Sequence, residues 1–75
     1  MSEIKYLKHY VLAGGFMELS ADSFDIDLRN EIRNCSNHGL LWKRIVTADT
    51  TYYQFYSKYT GTTLLIYSIE KPINK

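Results

Sequence analysis

The second half of the chain alternates apolar and polar residues in a way that predicts β-strands. Three runs rich in Tyr, Phe, Ile, Val, Leu and Thr cover residues 40–47, 51–59 and 62–69. Aromatic and β-branched residues favour extended strands. The junctions contain Asp49 and Gly61, residue types that close turns. The pattern predicts a three-stranded antiparallel meander that ends near Pro72, because proline cannot donate to a strand ladder.

The pairing of the last two runs decides which side chains share a face of the predicted sheet. With a two-residue turn ending at Gly61, Gln54 faces Tyr67 and Tyr56 faces Leu65. Both faces of the sheet then carry rings or aliphatic side chains. One small domain has a single core, so one face packs under a helix and the other is covered by another element or open to a partner.

The middle run therefore holds two alternative sets of rings. Tyr53 and Phe55 lie on one side of a strand, and Tyr52 and Tyr56 lie on the other, because successive side chains point to opposite faces. Either set can form the core. We expect Tyr52 and Tyr56 to be the exposed set.

A helix over residues 22–37 is the predicted cover for the sheet. Its apolar stripe, at spacings of three and four, consists of Phe24, Leu28, Ile32 and Cys35. Asp22 or Ser23 can cap its first turn, and Gly39 is a stop residue suited to the left-handed conformation. Residues 24–28 also alternate with period two, as an edge strand would, but the capping signals and the length favour a helix.

The N-terminal segment fits two structures. Residues 4–12 can form a strand that turns at Gly14 and Gly15 into a second strand over residues 16–19. The same segment also fits a helix with one apolar face, formed by Ile4, Leu7 and Val11. We favour the strands, and the fold class predicted for residues 1–75 is a single α+β domain: the three-stranded meander, with or without extension by N-terminal strands, and one helix on one face.

Composition narrows the classes of function. A chain of 75 residues forms one small domain, and the lone Cys35 excludes a disulfide within it. No apolar run is long enough to span a membrane and no signal peptide opens the chain, so we expect a cytoplasmic protein without a membrane partner. The net charge is +1, but the halves differ: residues 1–39 hold four Lys or Arg and six Asp or Glu, whereas residues 40–75 hold five Lys or Arg and two Asp or Glu.

Candidate catalytic chemistry is sparse. His9 and His38 lie far apart and have no neighbouring ligand, so no metal site or cofactor is predicted. Asp25 and Asp27 suit the first turns of the helix better than a facing carboxylate pair. Cys35 belongs to the apolar stripe, where a thiol acts as a small hydrophobic side chain. We expect no enzymatic activity, and a small ribonuclease using either histidine lacks an evident acid–base pair.

The remaining candidate site is a set of rings and cations on the predicted sheet. The predicted partner-binding residues are Trp42, Lys43, Arg44, Tyr52, Tyr56, Lys58 and Tyr67. Tyr, Trp and Arg carry much of the binding energy at protein interfaces. The sequence thus favours a small non-catalytic protein that binds and inhibits or modulates a larger protein, or pairs with itself as a dimer. The size and composition are typical of regulators encoded by phages or mobile elements.

Single-stranded nucleic acid is the alternative partner. Aromatic side chains on a sheet can stack on bases while nearby cations contact phosphates. The near-neutral charge weakens this alternative, because affinity for a phosphate backbone grows with the number of phosphates neutralised.

Overall fold

Five antiparallel strands and one α-helix make up the fold of the chain. The computed structural model describes residues 3–71. In chain order the elements are β1 (Lys5–Tyr10), β2 (Gly15–Leu19), α1 (Ala21–Asn34), a short 3-10 helix (Ser36–His38), β3 (Leu40–Val46), β4 (Thr50–Ser57) and β5 (Thr63–Glu70). The strand order is β2-β1-β5-β4-β3. The α+β class is confirmed, whereas the three-stranded meander is only part of a five-stranded sheet. The predicted end of the sheet near Pro72 lies outside the described residues.

The N-terminal segment is a β-hairpin and not a helix. β1 and β2 pair in an antiparallel register that joins Tyr6 to Leu19 and Tyr10 to Gly15. Gly14 has φ of +70° in the connecting turn, a conformation that glycine adopts without a steric penalty. β1 also pairs with β5, so the hairpin extends the sheet beyond β5, and β2 becomes one edge strand.

The predicted pairing of β4 with β5 is wrong by one residue. Tyr53 faces Tyr67, whereas the sequence pattern had placed Gln54 there. The reason is the turn: β4 ends at Ser57 and β5 begins at Thr63, so the loop is longer than two residues. In this loop the Gly61 N–H donates to the carbonyl of Ser57 at 2.8 Å. A shift of one residue moves a side chain to the other face of a sheet.

The helix begins one residue earlier than predicted and has a different cap. The hydroxyl of Ser20 accepts a hydrogen bond from the Ser23 N–H at 3.2 Å, so the predicted caps Asp22 and Ser23 are wrong. Ser20 has an extended backbone, which lets its side chain reach the free N–H groups of the first turn. The α-helix ends at Asn34, and the 3-10 helix continues to Gly39, whose φ of +71° confirms the predicted stop.

The core lies between α1 and one face of the sheet. Its buried members are Phe24, Leu28, Cys35, Leu40, Phe55, Leu65 and Tyr67. Ile32, the remaining member of the predicted stripe, is half-buried against them. The ring of Tyr67 sits at the centre, with centroids 5.6 Å from Phe24 and 5.7 Å from Phe55. The helical stripe inferred from the sequence is thus the side of α1 that packs on the sheet.

The two faces of the sheet differ in cover. We call the face under α1 the helix-side face. It carries Tyr6, Lys8, Phe55 and Tyr67, whose side chains lie on the same side of the sheet and contact the helix or its core. We call the side opposite α1 the open face. It is not open throughout, because Leu7 and Ser68, which pair with each other on this side, are buried. α1 therefore packs on one face of the sheet, and the other face has both buried and accessible side chains.

Candidate functional site

The predicted partner-binding residues are divided among several parts of the fold. Strand alternation puts Trp42 and Arg44 on the helix-side face. It puts Lys43, Tyr52 and Tyr56 on the open face. These five residues lie on the adjacent strands β3 and β4, so the sheet brings them together across two faces.

The other two predicted residues lie apart from this group. Tyr67 is 0% exposed and belongs to the core, so it is not part of any surface. The one-residue error in the β4–β5 pairing is the reason that the sequence had put it beside Tyr56. Lys58 is exposed in the β4–β5 loop, where its ammonium group lies 5.3 Å from the ring centroid of Tyr59.

Strand β3 forms one edge of the sheet. It combines a long apolar sequence with high exposure. Six of its seven residues are exposed, and only Leu40 is buried. Four large apolar side chains on it are 40–59% exposed: Leu41, Trp42, Ile45 and Val46. Lys43 and Arg44 stand in the middle of this apolar row. Soluble proteins seldom leave such a row on a free strand edge without a use for it.

Hydrogen bonds at the two ends of β3 show which of its residues direct their backbone groups towards β4. Thr47 N–H donates to the Thr50 carbonyl at 2.8 Å, and Lys58 N–H donates to the Gly39 carbonyl at 3.0 Å. Residues in an antiparallel ladder alternate between bonding inward and pointing outward. The odd-numbered residues of β3 therefore bond to β4, and the even-numbered residues direct their N–H and C=O groups away from the sheet.

One end of the outward row is already in use. The N–H of Leu40 donates to the Cys35 carbonyl at 2.8 Å, which places the chain after α1 against the start of β3. The outward groups of Trp42, Arg44 and Val46 have no neighbouring strand in residues 3–71, because β3 is the last strand of the sheet. The free edge therefore spans Trp42 to Val46 and is centred on Arg44.

The two cations of the free edge have aromatic neighbours but no acidic ones. Lys43 lies with its ammonium group 5.7 Å from the ring centroid of Tyr56. Arg44 is opposite Tyr53 on β4, and the Tyr53 ring lies 6.3 Å from that of Trp42. Across the described chain, the ion pairs join Lys8 to Asp27 and Arg29 to Asp25, so neither edge cation has an anionic partner there. β3 and β4 contain no Asp or Glu.

The open face contains a shallow groove that is lined by residues of β1, β2, β4 and β5. Its volume is about 370 Å³, and its lining includes His9, Phe16, Tyr52, Ile66 and Glu70. The rings of His9 and Phe16 have centroids 5.6 Å apart. The groove brings rings and an imidazole to a surface that the sequence had marked only through Tyr52.

The residues considered for catalysis take structural positions. Cys35 is buried and its thiol donates to the Ile32 carbonyl at 3.2 Å. Asp27 accepts a hydrogen bond from Lys8 at 2.9 Å, which joins the helix to β1. Within residues 3–71 no group of three or more His, Cys, Asp or Glu side chains is placed to hold a metal ion.

The strongest shifts of pKa belong to the core and not to the exposed edge. Burial raises the pKa of Tyr67 to about 12, against the lowering effect of the nearby Lys8 ammonium group. Burial acts to lower the pKa of Lys8, but the interactions with Asp27 and Tyr67 are stronger together and hold that pKa above its ordinary value. These two groups lie under α1, where they serve packing.

Sequence reasoning missed several exposed residues of β3. Leu41, Ile45 and Val46 were predicted only as strand residues, because the sequence does not say which strand is at the edge. A signal was nevertheless present: adjacent Lys43 and Arg44 in the middle of an apolar strand are typical of an edge, where charge discourages uncontrolled pairing.

Known proteins offer no guide to this surface. Comparisons with protein families, with curated proteins and with solved structures find no match for the chain. In the part of the chain that the structure describes, no helix is long and apolar enough to cross a membrane.

Proposed function

We propose that this chain is a small non-catalytic protein-interaction module, which binds a larger protein and inhibits or modulates it. The binding surface is the free edge of β3 together with the exposed side chains of β3 on both faces of the sheet. The observation that carries the proposal is the exposed row Leu41, Trp42, Ile45 and Val46 around Lys43 and Arg44, two cations that form no ion pair within residues 3–71. An origin in a phage or mobile element stays a prediction.

The composition of this row supports a protein partner. Trp and Arg are enriched among the residues that dominate protein interfaces, and large apolar side chains supply the area that binding removes from water. Because β3 contributes six exposed residues in one extended segment, a partner can contact backbone and side chains together. This combination favours an ordered protein contact.

Nucleic acid is the weaker candidate, because the cations do not share a surface. Lys43 and Arg44 point to opposite faces of the sheet, so each face offers one of them beside its rings. Binding along a phosphate backbone requires several cations on one track. Weak, strongly salt-dependent binding to oligonucleotides is the most that this arrangement supports.

The proposal is tested by comparing capture of host proteins by the wild-type chain and by surface variants. Trp42→Ser and Ile45→Ser each remove one exposed apolar side chain from β3 on a different face. Tyr59→Ser and Phe16→Ser are matched controls, because these rings are 79% and 67% exposed but lie outside the free edge, Tyr59 in the β4–β5 loop and Phe16 on β2. All four variants keep the buried core.

We expect quantitative mass spectrometry to show a discrete partner that is captured by the wild type and by both controls. Loss of at least tenfold in Trp42→Ser and Ile45→Ser is expected, since hot-spot residues contribute about 2 kcal/mol or more. Equal capture by all variants would contradict the proposed surface. Loss only in Phe16→Ser would place the contact at the groove of the open face instead.

A further inference from the structure

We infer that the free edge between Trp42 and Val46 binds an extended segment of a partner protein as a sixth strand, with an acidic side chain opposite Arg44. This inference rests on the proposed function and names the mode of binding and the chemistry of the partner. The occupant is a strand of another protein and neither a second copy of this chain nor a nucleic acid.

The backbone of β3 supplies the first part of the argument. Trp42, Arg44 and Val46 each direct an N–H and a C=O outward, in the spacing that an added strand requires. An extended segment gains its main-chain hydrogen bonds from such an edge and its specificity from alternate side chains. The chain before Leu40 occupies one end of the edge, so the added strand is limited to the free stretch.

The side chains define the sequence of that segment. Trp42 and Val46 lie on the helix-side face on either side of Arg44. Directly opposite residues in a sheet contact each other, and opposite charges or apolar pairs stabilise the pairing. The partner segment therefore carries apolar residues opposite Trp42 and Val46 and a carboxylate opposite Arg44. A polar or acidic residue fits opposite Lys43 on the other face.

The same geometry argues against a second copy. Two copies of the free edge that overlap fully in an antiparallel pair are centred on Arg44. Each Arg44 would then stand opposite the other, and like charges directly opposite destabilise a strand pair. The chain has no acidic residue in β3 to relieve this repulsion.

The other edge of the sheet is a poorer template. Val11 N–H donates to the Leu64 carbonyl at 3.0 Å, so the alternation leaves only Phe16 and Glu18 pointing outward on β2. β2 is also shorter, with five residues. A long partner strand is matched better by β3.

Two variants at one position separate backbone from side-chain effects. Val46→Pro removes the outward N–H while the bonds from β3 to β4 remain, because Val46 does not bond inward. Val46→Ala shortens the side chain but keeps that N–H. Arg44→Glu reverses the charge opposite the expected carboxylate, and Arg44→Gln removes it. Circular dichroism and amide spectra check that each variant folds.

The probe is a phage-displayed library of random peptides selected on the immobilised full chain. We expect enriched peptides with an acidic residue flanked at two-residue spacing by apolar ones. Such a peptide should bind about tenfold more weakly to Val46→Pro than to Val46→Ala, and about tenfold more weakly to Arg44→Glu than to Arg44→Gln. A library that yields no binders, or binders without an acidic residue, overturns the inference.

The host-protein capture described above distinguishes this failure from failure of the proposed function. Capture that Trp42→Ser abolishes but Val46→Pro leaves intact keeps the interaction module and overturns strand addition. Capture that neither variant changes overturns both. A wild-type dimer in sedimentation that Val46→Pro dissociates would assign the edge to a second copy. Tight oligonucleotide binding that Arg44→Gln abolishes would assign it to nucleic acid.

Discussion

Tyr67 shows how much the core depends on a single side chain. Its ring is fully buried between Phe24 and Phe55, yet its hydroxyl has no hydrogen-bond partner within residues 3–71. A buried hydroxyl without a partner costs about 1–3 kcal/mol. The Lys8 ammonium group lies 5.3 Å from the ring centroid, which favours the ring as a cation–π acceptor. We therefore expect the ring of Tyr67 to stabilise the fold more than its hydroxyl does.

Removing this hydroxyl should not destabilise the protein. We expect Tyr67→Phe to leave the free energy of unfolding unchanged or to raise it by about 1 kcal/mol, because the ring and its contacts remain. Chemical denaturation measures the change. Phe55→Ala, which empties a fully buried position on the neighbouring strand, should instead cost about 3–5 kcal/mol. A loss above about 1 kcal/mol in Tyr67→Phe would mean that the hydroxyl is hydrogen-bonded.

The pKa of Tyr67 also predicts how stability depends on alkaline pH. The pKa of Tyr67 rises from an ordinary 10.0 to about 12 on folding. The stability that depends on the neutral form of this group is therefore fully present below pH 10 and is lost as the pH rises towards 12. Lys8, whose pKa is also raised, adds a loss of the same sign as the pH climbs. Denaturation at a series of alkaline pH values should show a fall that is less steep in Tyr67→Phe. Equal slopes in the two proteins would contradict this assignment.

Some individual core residues could be identified from the sequence alone. Phe24, Leu28 and Cys35 were predicted because helical spacing makes a stripe visible without any tertiary contact. Tyr67 was misplaced, because its face depends on the length of the β4–β5 loop. A loop with several turn-forming residues does not reveal by itself where the pairing resumes.

Elements were predicted better than their arrangement. The strand ends were found within about two residues, and the helix was found with its start one residue late and its end three residues late, since local propensity and capping set these elements. The position of β3 at the edge and of β5 in the centre was not predicted, because strand order is set by contacts between distant segments. The nearly continuous apolar sequence of β5 is nonetheless typical of a central strand.

The attachment of α1 to the sheet rests partly on one ion pair. Lys8 is 13% exposed and lies 2.9 Å from Asp27, whereas the Arg29–Asp25 pair is exposed and 4.0 Å apart. We expect Asp27→Asn to lower the free energy of unfolding by roughly 1–3 kcal/mol, because it leaves a mostly buried ammonium group without its counter-charge.

The matched control is Asp25→Asn, which should change the free energy of unfolding by less than about 0.5 kcal/mol, because exposed pairs on a helix contribute little. Chemical denaturation of the two variants side by side gives the comparison. Equal losses in both would show that the Lys8–Asp27 contact does not anchor the helix.

The whole molecule is an open sheet with one packed face and one long free edge. Its dimensions of 43 × 22 × 21 Å describe an elongated body, in which surface is large relative to the core. Trp42, Lys43 and Arg44 are exposed on β3, whereas Tyr52 and Tyr56, the rings expected to be exposed on β4, are half-buried; the two faces of the sheet share these residues. In the proposed mode of binding, one added strand would contact the β3 side chains on both faces of the sheet.

The most direct measurement of this mode of binding is amide hydrogen exchange, read residue by residue with NMR. In the free chain, the amides of Trp42, Arg44 and Val46 should exchange quickly, and those of Lys43 and Ile45 should be protected by β4. Binding of the captured partner, or of a selected acidic peptide, should slow the three outward amides to rates typical of a strand ladder. Outward amides that keep their fast exchange in the complex would contradict binding at the β3 edge.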